Sequence, residues 1–322
     1  MTRVEHSIAL GGASLRSGDG SRLLDLETGA SLATPVNWCR LTLAAEGAPA
    51  AKPGDPLRVE LGYDGAASQV FSGAVETCAF ELGAVTIEAY GGALALARLF
   101  PNALYEQKTA GAIARDLLGA AKLSAGTIED GLAFAAFALS SQSSALAQLR
   151  ELARRCGFEF FADREDKLHF RAHAPAATHE LAYGRQLLAF SGAPLAPADG
   201  VEVYGASPAG QGQGEAASSW LSKKEVKGAA GKSSGRVLRL SDAAARTPDQ
   251  AKTIAGNLLA GLAATARGAA TALGDPALAP GDEVRFSGLA ESAFNAAFRI
   301  TAVRHRLNRR RGFVSEISWE GR

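Results

Sequence analysis

Cysteine is scarce in this chain and neither sign of charge dominates. Cys39, Cys78 and Cys156 are the only three in 322 residues, far apart and without CxxC spacing. An odd, scattered set supplies neither a disulfide framework nor a zinc knuckle, so they read as small buried hydrophobes in a reducing cytoplasm. Thirty-four Lys and Arg stand against 33 Asp and Glu, a formal net charge of +1. That balance gives no global attraction for DNA, membrane or acidic ligands, so neither a specific nucleic acid nor stable membrane insertion is expected. No apolar run approaches the roughly 18 residues of a membrane span. The polar start Met1-Thr2-Arg3-Val4-Glu5-His6 has no signal-peptide apolar region behind it, so synthesis in the cytosol without the Sec route is expected. HExxH and Walker patterns are also missing, and no catalytic, cofactor-binding or metal residues are assigned.

What is present is a β-rich pattern spelled twice. Lys52-Pro53-Gly54-Asp55-Pro56-Leu57-Arg58-Val59-Glu60-Leu61 is matched by Ala279-Pro280-Gly281-Asp282-Glu283-Val284-Arg285-Phe286. Seventeen residues after each glycine comes a comparable strand, at Phe71 and at Phe298, and each leads into a hairpin, to Gly83–Gly91 and Gly312–Gly321. So wide a spacing is no solenoid period. It predicts two related β-domains, within the two or three that this length suggests, and a quasi-symmetric surface rather than a single catalytic cleft.

Between the repeats the periodicity changes from two to 3.6. Thr109 is a good N-cap for a helix with Ile113, Leu117 and Leu118 on one face. Ser143 or Ser144 caps a second, carrying Leu146, Leu149, Leu152, Ala153 and Cys156, and Gly157 stops it. Phe158-Glu159-Phe160-Phe161, the turn Asp163-Arg164-Glu165-Asp166 and Leu168-His169-Phe170-Arg171 then read as a hairpin. Residues 176–205 return to strand. Residues 206–236, poor in large apolar side chains apart from Trp220, Leu221 and Val226, read as a mobile excursion. Thr247-Pro248-Asp249 starts a helix expected over 248–266. The fold class is α+β, mostly β: a β-barrel-like domain over 1–100, a small helix-plus-hairpin domain over 101–175, and a second β-barrel-like domain over 176–322.

Several clusters invite a chemical reading, and each has a plainer one. His169 and His173 near Glu165 and Asp166 lack a convergent third ligand, so exposed strand residues are expected. Asp163, Glu165 and Asp166 could be imagined as a glycosidase pair but are read as turn formers. Phe158, Phe160, Phe161 and Phe170 suit a packing core better than a stacking platform, and Cys156 near His169 suits core filler better than a nucleophile. Gly210-Gln211-Gly212-Gln213-Gly214 lacks the strand and helix that a phosphate loop needs. Arg304-His305-Arg306-Leu307-Asn308-Arg309-Arg310-Arg311 could meet phosphates or carboxylates, but between alternating strands it reads as a solvated hairpin tip or a set of interface salt bridges.

Four segments carry a family resemblance: Leu104–Leu118, Ser143–Asp163, Lys167–Arg171, and Pro280–Val284 through Ile300–His305 to Gly312–Ile317. In this order and spacing, over about residues 50–322, they resemble the tail-hub family of contractile phages. That family includes the late control protein D proteins and the N-terminal hub part of type VI secretion spike proteins. The resemblance implies a homotrimer whose two similar domains per chain present six edges. One face would stack on the tail-tube ring and the other hold a trimeric spike, with the tape-measure protein as a further partner. The spike is expected to be a separate polypeptide, because the chain ends at Arg322 after the second repeat. Assembly is expected in the cytoplasm and residence afterwards in the tail baseplate. Arg58, Glu60, Arg285 and Arg304 are the candidate interface residues. The alternatives are a tail-associated cell-wall hydrolase and a standalone carbohydrate- or surface-binding β-protein.

Overall fold

The computed structural model describes residues 3–18, 22–206 and 225–321. It is mostly β, with 50% of residues in strands and 15% in helices. The first stretch holds β1 (Val4–Leu10), β2 (Ala13–Arg16), β3 (Leu23–Ser31), β4 (Trp38–Ala44), β5 (Pro56–Tyr63), β6 (Ala66–Glu81) and β7 (Ala84–Tyr90). The middle holds α1 (Leu94–Arg98), β8 (Ala103–Thr109), α2 (Ala110–Ala120), β9 (Ala125–Ile128), β10 (Ala133–Leu139), α3 (Ala145–Cys156), β11 (Glu159–Ala162) and β12 (Leu168–Arg171). The last part holds β13 (Thr178–Ala182), β14 (Leu187–Pro194), β15 (Gly200–Tyr204), β16 (Lys227–Gly231), β17 (Val237–Ser241), α4 (Pro248–Gly261), β18 (Ala266–Leu273), β19 (Glu283–Ser287), β20 (Ala297–Asn308) and β21 (Gly312–Gly321).

The repeat is real at the level of hydrogen bonds. One 13-stranded sheet contains the order β3-β4-β7-β6-β5-β1 and the order β14-β18-β21-β20-β19-β13, which match position for position. Only the last pair differs in direction, antiparallel for β1–β5 and parallel for β13–β19. Two irregularities recur at corresponding places. A bulge breaks β6–β7 between Val75 and Thr77 and β20–β21 between Ile300 and Ala302. Another breaks β3–β4 between Leu23 and Asp25 and β14–β18 between Leu187 and Ala189. Both Pro-Gly-Asp turns take a glycine at positive φ, +91° at Gly54 and +93° at Gly281, a region that residues with a Cβ avoid. Gly54 N–H donates to Val75 O (2.8 Å) and Val75 N–H to Asp55 O (2.9 Å), just as Gly281 N–H donates to Ile300 O and Ile300 N–H to Asp282 O, both 2.8 Å.

Those bonds correct the alignment of the second strands by two residues. Val75 corresponds to Ile300, and Gly73 rather than Phe71 is the counterpart of Phe298, since Gly73 and Phe298 face Leu57 and Val284. A shift of two leaves every side chain on its original face, which is why Phe71 and Phe298 both point inward, 1% and 7% exposed.

The two halves are not separate sheets. The far end of β20 leaves the second half and pairs antiparallel with β3, from Ala302 opposite Ser31 to Asn308 opposite Asp25. Leu307 and Phe313 accordingly pack in the first core with Leu26, Leu41, Val59, Phe71 and Ile87. The second repeat has its own core around Phe286, Phe298, Ile300 and Trp319. Burial along β5 and β7 follows period two, with Leu57, Val59, Leu61, Ile87 and Ala89 at 0–1% exposure, as alternation requires on a one-sided sheet.

The middle packs α2 and α3 on two small sheets, β10-β8 and β11-β12-β9. Thr109 caps α2 by accepting from Ala112 N–H (3.1 Å), and Ser144 caps α3 by accepting from Ala147 N–H (3.3 Å). Gly157 ends α3 in the left-handed region at φ +68°. Ala93 and Leu96 belong to this core rather than to the first. Residues 103–109, just ahead of the Thr109-capped helix, form β8. A fourth core joins α4 to the sheet β16-β15-β17. Here α4 ends at Gly261, not at 266, because Ala266 already pairs with Gly321 in β18. Of the excursion expected over 206–236, residues 207–224 lie outside the described residues. Lys227–Gly231 is a strand paired with β15, and Val226 is 4% exposed.

Candidate interaction surfaces

The four residues singled out as interface candidates do not converge. Arg58 is exposed and Glu60 half-buried on one face of β5. Arg285 lies on β19 at the position corresponding to Arg58, and its Nε is 3.3 Å from Glu180 on the parallel neighbour β13. Both groups there are more than half exposed, so the pair is worth little in stability. Arg304 is different: it is spent inside the chain. Its guanidinium bonds to Glu27 and lies 5.8 Å from the centre of the Trp38 ring. Arg306 reaches the same Glu27 at 2.7 Å and Glu316 at 3.6 Å.

The basic tract is therefore divided by the pleat. His305 and Leu307 are 5% and 8% exposed in the interior. Arg304 and Arg306 neutralise Glu27, itself 7% exposed, at the β3–β20 seam. Arg309, Arg310 and Arg311 stand exposed at the β20–β21 turn. His305 Nδ1 lies 2.9 Å from Ser315 Oγ, which also accepts from Asp275 N–H at 2.9 Å. Burial, with a smaller contribution from the positive charge of Arg164, pushes the imidazole pKa from 6.5 down to about 3, so His305 is neutral across the physiological range.

The turn Asp163-Arg164-Glu165-Asp166 forms itself through Asp163 Oδ1, which accepts from Glu165 and Lys167 N–H at 3.0 and 2.9 Å. It also does something that its sequence did not announce. The Asn37 amide donates to Asp163 O (2.9 Å), Gln69 to Arg164 O (2.6 Å), and Gly92 N–H to Asp166 Oδ2 (2.7 Å). On the other side Arg164 donates to Pro276 O (3.3 Å) and Ala277 O (3.0 Å). One turn thus ties the middle unit to both halves of the sheet. Burial pushes the Asp166 carboxyl up despite the bond from Gly92.

The histidines are structural too. His169 Nδ1 accepts from Thr127 N–H (3.0 Å), which leaves Nε2 to donate to Asp163 Oδ2 at 2.9 Å, and its ring stacks 5.0 Å from Phe161. His173 Nδ1 is 2.7 Å from Glu159 Oε1, where Arg299 also binds while holding Glu320 at 3.0 Å. His179 Nε2 is 3.0 Å from Asp282 Oδ2. Among the described residues no group of three His, Cys, Asp or Glu could hold a metal ion. Phe160 and Phe170 are core residues, with Phe158 edge-on to Phe170 at 5.3 Å. Burial raises the pKa of Cys156, which suits filler rather than a nucleophile. A cleft of about 620 Å³ opens between α3, α4 and the Glu159–Arg299 pair.

Sequence reasoning missed the most exposed apolar feature among the described residues. Phe80 and Leu82, at the β6–β7 turn, are 78% and 107% exposed. Their signal was two large apolar residues flanking Glu81 beside a turn glycine, Gly83 at φ +81°. No described helix is long and apolar enough to cross a membrane.

The fold matches solved tail proteins along nearly its whole length. The 43 kDa tail protein of prophage MuSo2 from Shewanella oneidensis is 13% identical with a TM-score of 0.72, over 98% of both chains. A tail protein from Neisseria meningitidis MC58 is 14% identical with a TM-score of 0.72, over 99% of this chain and 96% of that one. An Escherichia coli component of the type VI secretion system, itself structurally similar to T4 bacteriophage tail proteins, is 13% identical with a TM-score of 0.60, over 97% of this chain and 76% of that one. No curated protein matches the sequence. The family model for the phage tail baseplate hub (GPD) matches residues 39–310, and the chain belongs to that family.

Proposed function

We propose that this protein is the trimeric baseplate hub of a phage tail or phage-tail-like injection machine, and that it adapts a six-fold tail tube to a three-fold spike. The observation that carries the reading is the doubled strand order with its matching bulges. Three chains built this way offer six similar edges, which a ring of identical single domains cannot do while keeping three-fold symmetry elsewhere. Each half acts as a barrel-like unit, with the middle α+β unit between them and the first boundary near Gly91, where Ala93 turns into the middle core. The tube ring, a separate spike and the tape-measure protein are its partners, and assembly in the cytoplasm precedes incorporation into the tail.

Catalysis has no place in this reading. Asp163 and His169 are occupied with the turn and with Thr127, so neither is held ready for a substrate proton. Peptidoglycan zymography should accordingly show no clearing, and a cleared band would revive the hydrolase reading.

Arg58 and Arg285 hold corresponding exposed places on β5 and β19 and set the register against the tube. Glu60 shares Arg58's face. Arg304 acts indirectly, by fixing the seam. Native mass spectrometry of the chain, alone and with the spike, tests the reading directly. A species at three times the 33.2 kDa chain mass is expected, and a monomer in both samples refutes it. Arg58→Glu with Arg285→Glu should then leave the trimer intact and abolish tube assembly.

A further inference from the structure

We propose that the β6–β7 hairpin of one copy pairs with β14 of a second copy of this chain, repeating between chains the β20–β3 ladder that each chain makes within itself. The proposal rests on the trimeric reading above and adds the surface by which the copies meet.

Within the chain, the β20–β21 hairpin leaves its own half and adds a strand to the edge of the other half, along β3. The counterpart of that hairpin is β6–β7, and the counterpart of β3 is β14, by strand order and by the shared bulges. Neither counterpart is used the same way. Among the described residues β14 ends the sheet, pairing with β18 on one side and making only an isolated bridge from Leu187 to Tyr183 besides. Beyond Ala74, β6 has no ladder on its β5 side. One hairpin and one acceptor edge are therefore left over in each chain, which is the arrangement of a head-to-tail contact that closes a ring.

Exposure at corresponding positions shows what the missing contact covers. Counting from the common bulge, Phe80 corresponds to His305 and Leu82 to Leu307. The second pair is 5% and 8% exposed beneath the β3 seam, whereas Phe80 and Leu82 are 78% and 107% exposed. On the acceptor side, Leu26 of β3 is fully buried, but its counterpart Phe190 is only partly buried. Phe190 lies in an aromatic cluster with Trp319 and Phe294, at 5.4 and 5.3 Å, that reaches the open edge. The strand itself, Leu187–Pro194, carries no charge to discourage pairing.

Backbone phase also agrees. Leu32 N–H donates to Thr301 O (2.9 Å), so by alternation Ala30, Thr28 and Leu26 turn their amide groups toward β20. Leu195 N–H donates to Thr265 O (2.7 Å), so Gly192 and Phe190 turn theirs toward the open edge. Carrying the β20–β3 register across places Phe80 opposite Gly192, Glu81 opposite Ser191 and Leu82 opposite Phe190. Phe80 and Leu82 then lie over the aromatic cluster. A Cβ on Gly192 would point at Phe294 and Trp319, 2.9 Å from each, so a glycine there leaves room for the ring opposite.

A directed cross-link tests the register. Glu81 and Ser191 would form a non-hydrogen-bonded pair with Cα atoms about 4.5 Å apart, within disulfide range. In a Cys78→Ala background, Glu81→Cys with Ser191→Cys should oxidise to a covalent trimer that reductant returns to single chains. Mixing the two single variants should give linked pairs. A trimer by native mass spectrometry that forms no disulfide overturns this interface and leaves the hub reading standing, while a folded monomer at every concentration overturns both. Phe80→Ser with Leu82→Ser removes side chains that support no core of the chain. Its circular dichroism should be unchanged and its trimer dissociation constant raised by about tenfold or more. An unaltered trimer would also refute the proposal.

Discussion

Lowering the pH from 7 to 5 should destabilise this protein through one side chain, His305. It is 5% exposed and its Nδ1 faces Ser315 Oγ at 2.9 Å. Burial first, and the Arg164 charge second, depress its folded pKa from 6.5 to about 3. In the unfolded chain the ring takes up a proton below about pH 6.5, and in the folded chain it does not. Stability is therefore fully present above pH 6.5 and is lost as pH falls from there toward 3. Each pH unit in that window costs about 1.4 kcal/mol, so the loss by pH 5 is about 2 kcal/mol. Against a net stability of about 5–15 kcal/mol this is measurable. Asp163 does not confuse the window. Burial alone would raise its pKa, but bonds from His169 and from backbone N–H groups hold it below 3.8, so its contribution is lost only at lower pH. Urea denaturation at pH 7, 6 and 5 should show the parent losing about 2 kcal/mol more than His305→Gln. Parallel losses in the two proteins would refute the assignment.

Arg164→Ala should cost about 1.5–3 kcal/mol by removing charged bonds to Pro276 and Ala277, and it should ease the acid sensitivity because one positive charge near His305 is gone; thermal melts at pH 7 and 5 read both. Glu159→Ala should cost about 3–5 kcal/mol, because Arg299, with a side chain 12% exposed, then keeps only Glu320 as an ion partner among the described residues. An unchanged urea midpoint would count against that buried cluster. Gly29→Ala should destabilise by about 1–3 kcal/mol through overpacking, since a Cβ there would fall 2.3 Å from Trp38 Nε1. A melting temperature equal to the parent's would contradict the close contact.

Local chemistry was legible wherever neighbours in sequence supply both partners. Thr109, Ser144 and Thr247 accept the N–H groups three residues on, and Gly157 needs only its own backbone to end α3. Alternation likewise fixed which side of β5 and β7 is buried, because a strand's faces follow from its own period of two. The Pro-Gly-Asp repeat was legible for the same reason: both glycines take positive φ within their own turns.

The partner across each strand edge was not legible. A period of two says which face goes inward, but backbone N–H and C=O groups carry no residue label, so it does not say what pairs with the edge. Nothing local distinguishes Arg304, committed to Glu27 from 277 positions away, from the exposed arginines at 309–311. Nor does the Asp163–Asp166 turn reveal that its carbonyls receive Asn37 and Gln69. The composition, the local turns and caps, and the doubled pattern were set by the sequence alone. The β3–β20 seam, the buried neutral His305 and the bare Phe80–Leu82 tip were decided by tertiary structure, because each depends on which distant edge meets which, and that choice belongs to the packing of the whole sheet.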